Sequence, residues 1–157
     1  MGMKTLIIYF SRDGHTKKVA EYISEKLGAN IEEITEPEKR GGLMGYLRSG
    51  KESFQEATPK INPLKNNSSE YDLVVLGTPV WAGNVASPVR TYLKEQSSGI
   101  KKIAFYCTSK TKDVKKTFEE MKKLSGKEPV ATENYTDNII DKNGHLNDLD
   151  DFILKLK

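Results

Sequence analysis

The sequence predicts a three-layer α/β fold: a five-stranded parallel sheet with helices on both faces. Three observations carry that expectation. Residues 3–10, 71–77 and 102–107 are continuous runs of apolar, β-branched and aromatic residues without alternation, as in strands buried on both faces. The segments between and after them carry apolar residues at helical spacing. Strands and helices then alternate strictly, which implies parallel pairing through right-handed crossovers.

In chain order, the strand at 3–10 is followed by a helix over 15–28, with Val19, Ile23 and Leu27 every fourth residue and Ala20 widening the stripe. Residues 30–35 make a short strand with Ile31 and Ile34 as its apolar content, placed at or near an edge. A charged linker ending in Gly41-Gly42 leads to 43–55, where Leu43, Leu47 and Phe54 share a helical face despite Gly45 and Gly50. The Pro-, Asn- and Ser-rich stretch 57–70 is a loop. The second buried strand is 71–77. The loop 78–84 and a helix over 86–97 follow it, with Pro88 in the first turn and Val89, Tyr92 and Leu93 inward. The strand at 102–107 precedes a helix over 113–125 with Val114, Phe118 and Met121 inward. A fifth strand over 128–135 and a last helix over 145–156, with Leu146, Leu149, Ile153 and Leu156, complete the chain.

With 157 residues, this length suits one domain, 1–157. The hydrophobic share of 36% against 30% charged residues gives a core under a heavily solvated surface. No apolar run is long enough to span a membrane. Met1 leads directly into a strand pattern, so no leader is expected. A lone cysteine, Cys107, points to a reducing, cytoplasmic setting. Two histidines, His15 and His145, make a metal site unexpected. A net charge of +3 is too small to imply nucleic acid. Residues 101–127 nevertheless concentrate nine lysines against three acids. Such a run is a solvated helix face or a docking surface for an acidic partner.

Ligands of open parallel sheets bind at the carboxyl ends of strands, where the winding reverses. Loops 11–16, 78–84 and 107–112 leave the three strongest strands and converge on one crevice. The first, Ser11-Arg12-Asp13-Gly14-His15-Thr16, lies between a strand and a helix start. Backbone amides, the helix dipole and the Ser11 and Thr16 hydroxyls there form an anion cradle, and Gly14 admits positive φ or close approach. An ordinary capped turn has the same composition. In the second loop Trp81 is surrounded by Gly, Pro and Asn, where a large ring is hard to bury. It offers a stacking surface to a flat conjugated ligand or packs beneath a neighbouring loop. Ala82 and Gly83 are small enough for the main chain to reach the edge of such a ring.

Ser11-Arg12-Asp13-Gly14-His15-Thr16 resembles the phosphate loop of flavodoxins, Thr/Ser-x-Thr-Gly-x-Thr, with Asp13 in place of the hydroxyl at the third position. Gly77-Thr78-Pro79-Val80-Trp81-Ala82-Gly83 resembles the family's ring-contacting loop. The element order matches over the whole chain, without the fifth-strand insertion of long-chain members. The resemblance implies the strand order 2-1-3-4-5 and non-covalent FMN. The phosphate would lie on residues 11–16, and Trp81 would cover one ring face. Further contacts would come from Thr78, Pro79, Val80, Ala82, Gly83 and Asn84 and from Cys107, Thr108 and Ser109, with no catalytic side chain required. In the family the peptide corresponding to Ala82–Gly83 turns over on one-electron reduction, and Gly83 makes such a rotation sterically easy.

Three features depart from that pattern. Arg12, Lys17, Lys18, Lys110 and Lys112 outnumber Asp13 and Asp113 around the crevice, so the couple to fully reduced flavin is expected to be less negative than in strongly acidic members. The third loop lacks the usual covering tyrosine, although Tyr106 lies nearby, so one ring face is expected to be open. Residues 41–55 are a plain surface helix or a lid. The leading functional expectation is an electron carrier between redox proteins. The alternatives are an FMN-dependent NAD(P)H reductase of quinones or small molecules, and a flavin-free binding domain on the same fold.

Overall fold

The computed structural model describes residues 2–38, 42–54, 57–138 and 149–157. Its elements are β1 (Thr5–Tyr9), α1 (His15–Leu27), β2 (Asn30–Glu33), α2 (Gly42–Phe54), β3 (Leu73–Trp81), β4 (Asn84–Val85), α3 (Ser87–Gln96), β5 (Ile103–Ser109), α4 (Lys115–Ser125), β6 (Thr132–Thr136) and α5 (Leu149–Leu156). The parallel strands lie in the order β2-β1-β3-β5-β6, and β4 pairs with β3 alone. Apart from that added strand, this is the expected sheet, with the short β2 at one edge. The part of the last predicted helix before residue 149 lies outside the described residues.

Strand pleating divides the core into two layers. Successive residues of β1 point to opposite faces. Leu6 and Ile8 pack with Val89, Leu93 and Met121 of α3 and α4. Ile7 and Tyr9 pack with Val19, Ala20 and Ile23 of α1 and Phe152, Ile153 and Leu156 of α5. The central strands β1, β3 and β5 are buried on both sides, which is why their sequences do not alternate.

Two expectations need correction. The second strand does not stop at Gly77 but runs to Trp81. There the chain reverses through Ala82–Gly83, and β4 pairs back antiparallel, with Val80 opposite Val85 and Trp81 opposite Asn84. Both turn residues have positive φ, 50° and 77°, the geometry of a two-residue hairpin that matches strand twist. The last strand starts at Thr132 rather than 128, because Gly126 ends α4 in a left-handed conformation and the chain needs the next residues to reach the sheet.

Burial of phenols gives the fold an alkaline limit. Tyr92 is fully buried, and its hydroxyl bonds Ser68 Oγ at 2.6 Å. Burial pushes its pKa up to about 12, against a partial lowering by that bond. Tyr9 is also raised to about 12, by burial first and then by the charges of Glu33 and Glu21. A raised folded-state pKa favours the neutral phenol. The associated stability is therefore full below the unfolded value near 10 and lost as pH climbs through 12. Roughly 2–3 kcal/mol is at stake at Tyr92, and less at Tyr9, whose hydroxyl end is less enclosed. Stability should be flat up to about pH 10 and fall steeply by pH 12, with ionisation of Tyr92 and Tyr9 accompanying unfolding.

Candidate functional site

The carboxyl ends of β1, β3 and β5 open into a cleft of about 550 Å³. That volume lies in the range that holds small molecules and cofactors. Its floor is the turn from β1 into α1. Gly14 takes φ 97°, and no side chain caps the helix it starts. The first turn of α1 carries no acidic residue. Gly14 N donates to Ser11 Oγ at 3.1 Å, closing the turn around that hydroxyl. The hydroxyls of Thr16 and Thr108 are 2.7 Å apart, tying the turn to the end of β5. Beneath them the fully buried Tyr106 donates from its hydroxyl to Thr16 O at 2.9 Å.

Asp13, which stands where a hydroxyl was expected, is held by a two-pronged bond from Arg12, at 3.2 and 3.0 Å. Arg12 also lies 5.0 Å from the centre of the Tyr46 ring. His15 Nδ1 is 3.6 Å from Asp137 Oδ1, which links the floor to the segment after β6. Leaving His15 aside, the cleft is lined by Arg12, Lys51 and Lys110 against Asp13, Asp113 and Asp137, an even balance. Lys17, Lys18 and Lys112 are absent from that lining, so the basic crevice read from the sequence is not found there.

Most of the predicted site residues do meet. Ser11, Arg12, Asp13, His15 and Thr16 line the cleft from the floor. Pro79, Val80, Trp81, Ala82 and Gly83 line it from one wall, with Thr108 and Ser109 from the end of β5. Four others are absent from the lining. Gly14 acts through its backbone conformation. Thr78 is buried, donating to Pro79 O at 2.7 Å and accepting from Ala86 N at 3.0 Å. Asn84 is in β4, and its amide donates to Ala82 O at 3.3 Å. Cys107 is buried with Sγ 3.3 Å from Asn134 Oδ1, and burial pushes its thiol far up, so it behaves as a packing residue.

Trp81 is only 7% exposed. It packs at right angles to Phe10, with ring centres 5.3 Å apart, and also lines the cleft. The expectation of an unburied tryptophan in an irregular loop is therefore corrected: the extension of β3 carries it into the core. Sequence reasoning missed Tyr46, Leu47, Ser49, Gly50 and Lys51, through which α2 forms the opposite wall. Tyr46 is 59% exposed. The only signal for it was an aromatic residue in a segment read as a helix or a lid. Tyr106 was read as a nearby ring; it is wholly buried under the sheet end instead.

The hairpin wall is anchored from behind by α4. Thr117 Oγ1 donates to Gly83 O at 3.0 Å, and Glu120 Oε2 accepts from Val85 N at 3.1 Å. Glu120 also pairs with the buried Arg90, whose Nε and Nη2 donate at 3.0 and 2.7 Å. Arg90 Nη1 in turn holds Ala57 O at 2.8 Å, so the chain leaving α2 is tied to the same network.

The FMN complex of a flavoprotein from Lactobacillus acidophilus superimposes with a TM-score of 0.76 at 27% identity, over 90% of this chain and 98% of that one. The apo form of the flavoprotein from the same strain gives 0.62 at 25% identity, over 90% and 97%. An oxidised flavodoxin from Bacillus cereus gives 0.54 at 17% identity, over 97% and 95%, a likeness of fold. The family model for flavodoxin matches residues 4–143. With that match covering most of the sequence and the cleft at the predicted strand ends, the chain belongs to the flavodoxin family.

Proposed function

We propose that this protein binds FMN as a single cytoplasmic domain and passes electrons to a redox partner protein. The observation that carries the reading is one cleft in which an uncapped helix N-terminus faces an aromatic-bordered hairpin. The residues present suit the cofactor. Backbone amides at the start of α1, with the Ser11 and Thr16 hydroxyls, would hold the phosphate. Trp81, the Ala82–Gly83 turn and Tyr46 would bound the ring. When bound, FMN supplies the redox chemistry. Lys110 at the cleft and Lys112, Lys115 and Lys116 beside it are exposed and suit an acidic partner.

The test is a titration of the apoprotein with FMN. One equivalent should quench the fluorescence of the lone tryptophan, Trp81, and give a yellow protein. Absence of binding would reject this reading and restore the flavin-free alternative, and binding that leaves Trp81 unquenched would reject the placement of FMN at this cleft. Tyr46→Ala should weaken FMN binding about fivefold, the equivalent of roughly 1 kcal/mol for a partly exposed aromatic contact. Stability should change by no more than about 0.5 kcal/mol, since the ring is more than half exposed.

A second reading, an FMN-dependent NAD(P)H reductase of a quinone or small molecule, is favoured by α2. Tyr46 and Leu47, both more than half exposed, give the cleft an apolar rim that suits a small planar substrate. Anaerobic bleaching of the bound flavin by NADPH alone would select this reading.

A further inference from the structure

We propose that the buried Arg90–Glu120 pair is a strut that sets the spacing between the two walls of the cleft, and that Arg90 is thereby a positioning residue for the ring of bound FMN. The role toward the ligand rests on FMN binding at the cleft, as argued above; the strut itself does not.

Arg90 and Glu120 line no part of the cleft. Arg90 lies on α3 with 1% of its side chain exposed, and Glu120 lies on α4 with 16% exposed. Withdrawing two opposite charges from water costs about as much as their attraction returns, so such a pair is a poor source of stability. What it supplies is direction, because a guanidinium is a flat fork whose donors point along fixed lines. Nε and Nη2 donate to Glu120 Oε1 at 3.0 and 2.7 Å. The other oxygen of that carboxylate accepts from Val85 N at 3.1 Å, on the strand that returns from the hairpin. Nη1 donates at 2.8 Å to Ala57 O, three residues past Phe54, the last residue of α2. One side chain therefore reaches both walls, the hairpin through Glu120 and the exit of α2 directly.

Both walls depend on such anchors. Tyr46 and Leu47 are more than half exposed, so core packing does not hold them in place. Thr91, the next residue of α3, holds Pro59 O at 2.7 Å, and Arg90 brings the anchor two residues closer to α2. On the other side β4 has only two residues, so a grip on Val85 N bears on that whole arm of the hairpin. A ring bound between walls already at the right spacing leaves less to be ordered on binding.

The test compares wild type with Arg90→Lys and Arg90→Met/Glu120→Leu, each with and without Tyr46→Ala, by FMN titration, urea unfolding and hydrogen exchange of the apoproteins. Arg90→Met/Glu120→Leu fills the space without charge, so it should unfold at the same urea concentration as wild type or above. It should nevertheless bind FMN about tenfold more weakly. Tyr46→Ala, worth about fivefold in wild type, should cost less than about twofold on that background, because the ring has already lost its place. The ammonium of Arg90→Lys keeps a charge opposite Glu120, but a single point cannot also serve Ala57 O. Arg90→Lys should therefore speed exchange of the α2 amides and leave the Val85 amide as in wild type, whereas the Arg90→Met/Glu120→Leu protein should exchange faster at both. Wild-type FMN affinity in a folded Arg90→Met/Glu120→Leu protein would make the pair merely structural and overturn the proposal. An undiminished effect of Tyr46→Ala on that background, or wild-type exchange of α2 in Arg90→Lys, would overturn it too. If the double variant does not fold, the Arg90→Lys results decide. If wild type binds no FMN, the functional reading falls, and exchange in the apoproteins decides whether the strut exists.

Discussion

Replacing Trp81 by alanine should lower stability by about 3–5 kcal/mol and weaken FMN binding in the same protein. The two effects come from one side chain with two neighbours. Its ring meets Phe10 edge-on within the layer beneath α3 and α4, and it is nearly buried, so truncation leaves a cavity that strands fixed on both sides cannot close. Trp81 also lines the cleft, and a ring ligand there would lose part of its wall when the residue is shortened. Trp81→Phe separates the contributions. It keeps an aromatic partner for Phe10 and should recover more than half of the stability, while FMN affinity recovers less. Urea unfolding and quenching of flavin fluorescence measure the two quantities independently. A Trp81→Ala protein that unfolds early yet binds FMN as wild type does would assign the indole to the core alone.

That dual role was only half legible in the sequence. The strand–turn–helix signature at Ser11–Thr16 is local chemistry, and it placed the floor of the cleft correctly in space. The buried strands were legible because their residues never alternate, and the alternation of strands and helices fixed the layers. Trp81 was misjudged because its surroundings look like loop composition: Thr78, Pro79, Gly83 and Asn84 are all common turn residues. What makes 78–81 a strand is pairing with β5 on one side and with β4 after the hairpin, both contacts made by residues distant in sequence or beyond the bend. The hairpin itself was hidden because alanine at positive φ carries no sequence signal. The α2 wall was invisible for a similar reason. A helix reveals which residues share a face, but not which cleft that face meets. The charge balance failed in the same way: lysines near the turn in sequence lie on outward faces, while Lys51 and Asp137 reach the cleft from far along the chain.

Gly77→Ala should be the most damaging single methyl addition near the site, costing about 3 kcal/mol or more. Gly77 is central in β3, opposite Tyr9 of β1 and Tyr106 of β5. The Tyr106 ring lies directly across it, and a methyl group there would fall on the ring's Cζ, its hydroxyl oxygen and Cε1. None of these atoms can retreat, because the ring is fully buried and packs against Tyr135 at 6.2 Å between centres. To make room the phenol must leave its position, and its bond to Thr16 O goes with it. Thr16 also holds Thr108 through its hydroxyl, so a clash inside the sheet disturbs the floor on which the phosphate would rest. FMN affinity should therefore fall along with stability. Tyr106→Phe, which removes the bond but not the ring, should cost only about 1 kcal/mol. The decisive comparison is the double variant. On a Tyr106→Ala background, itself expensive through its cavity, the added methyl should cost almost nothing, giving strong non-additivity in urea unfolding. Additive losses would mean that the glycine is required by the strand itself and not by the tyrosine that crosses it.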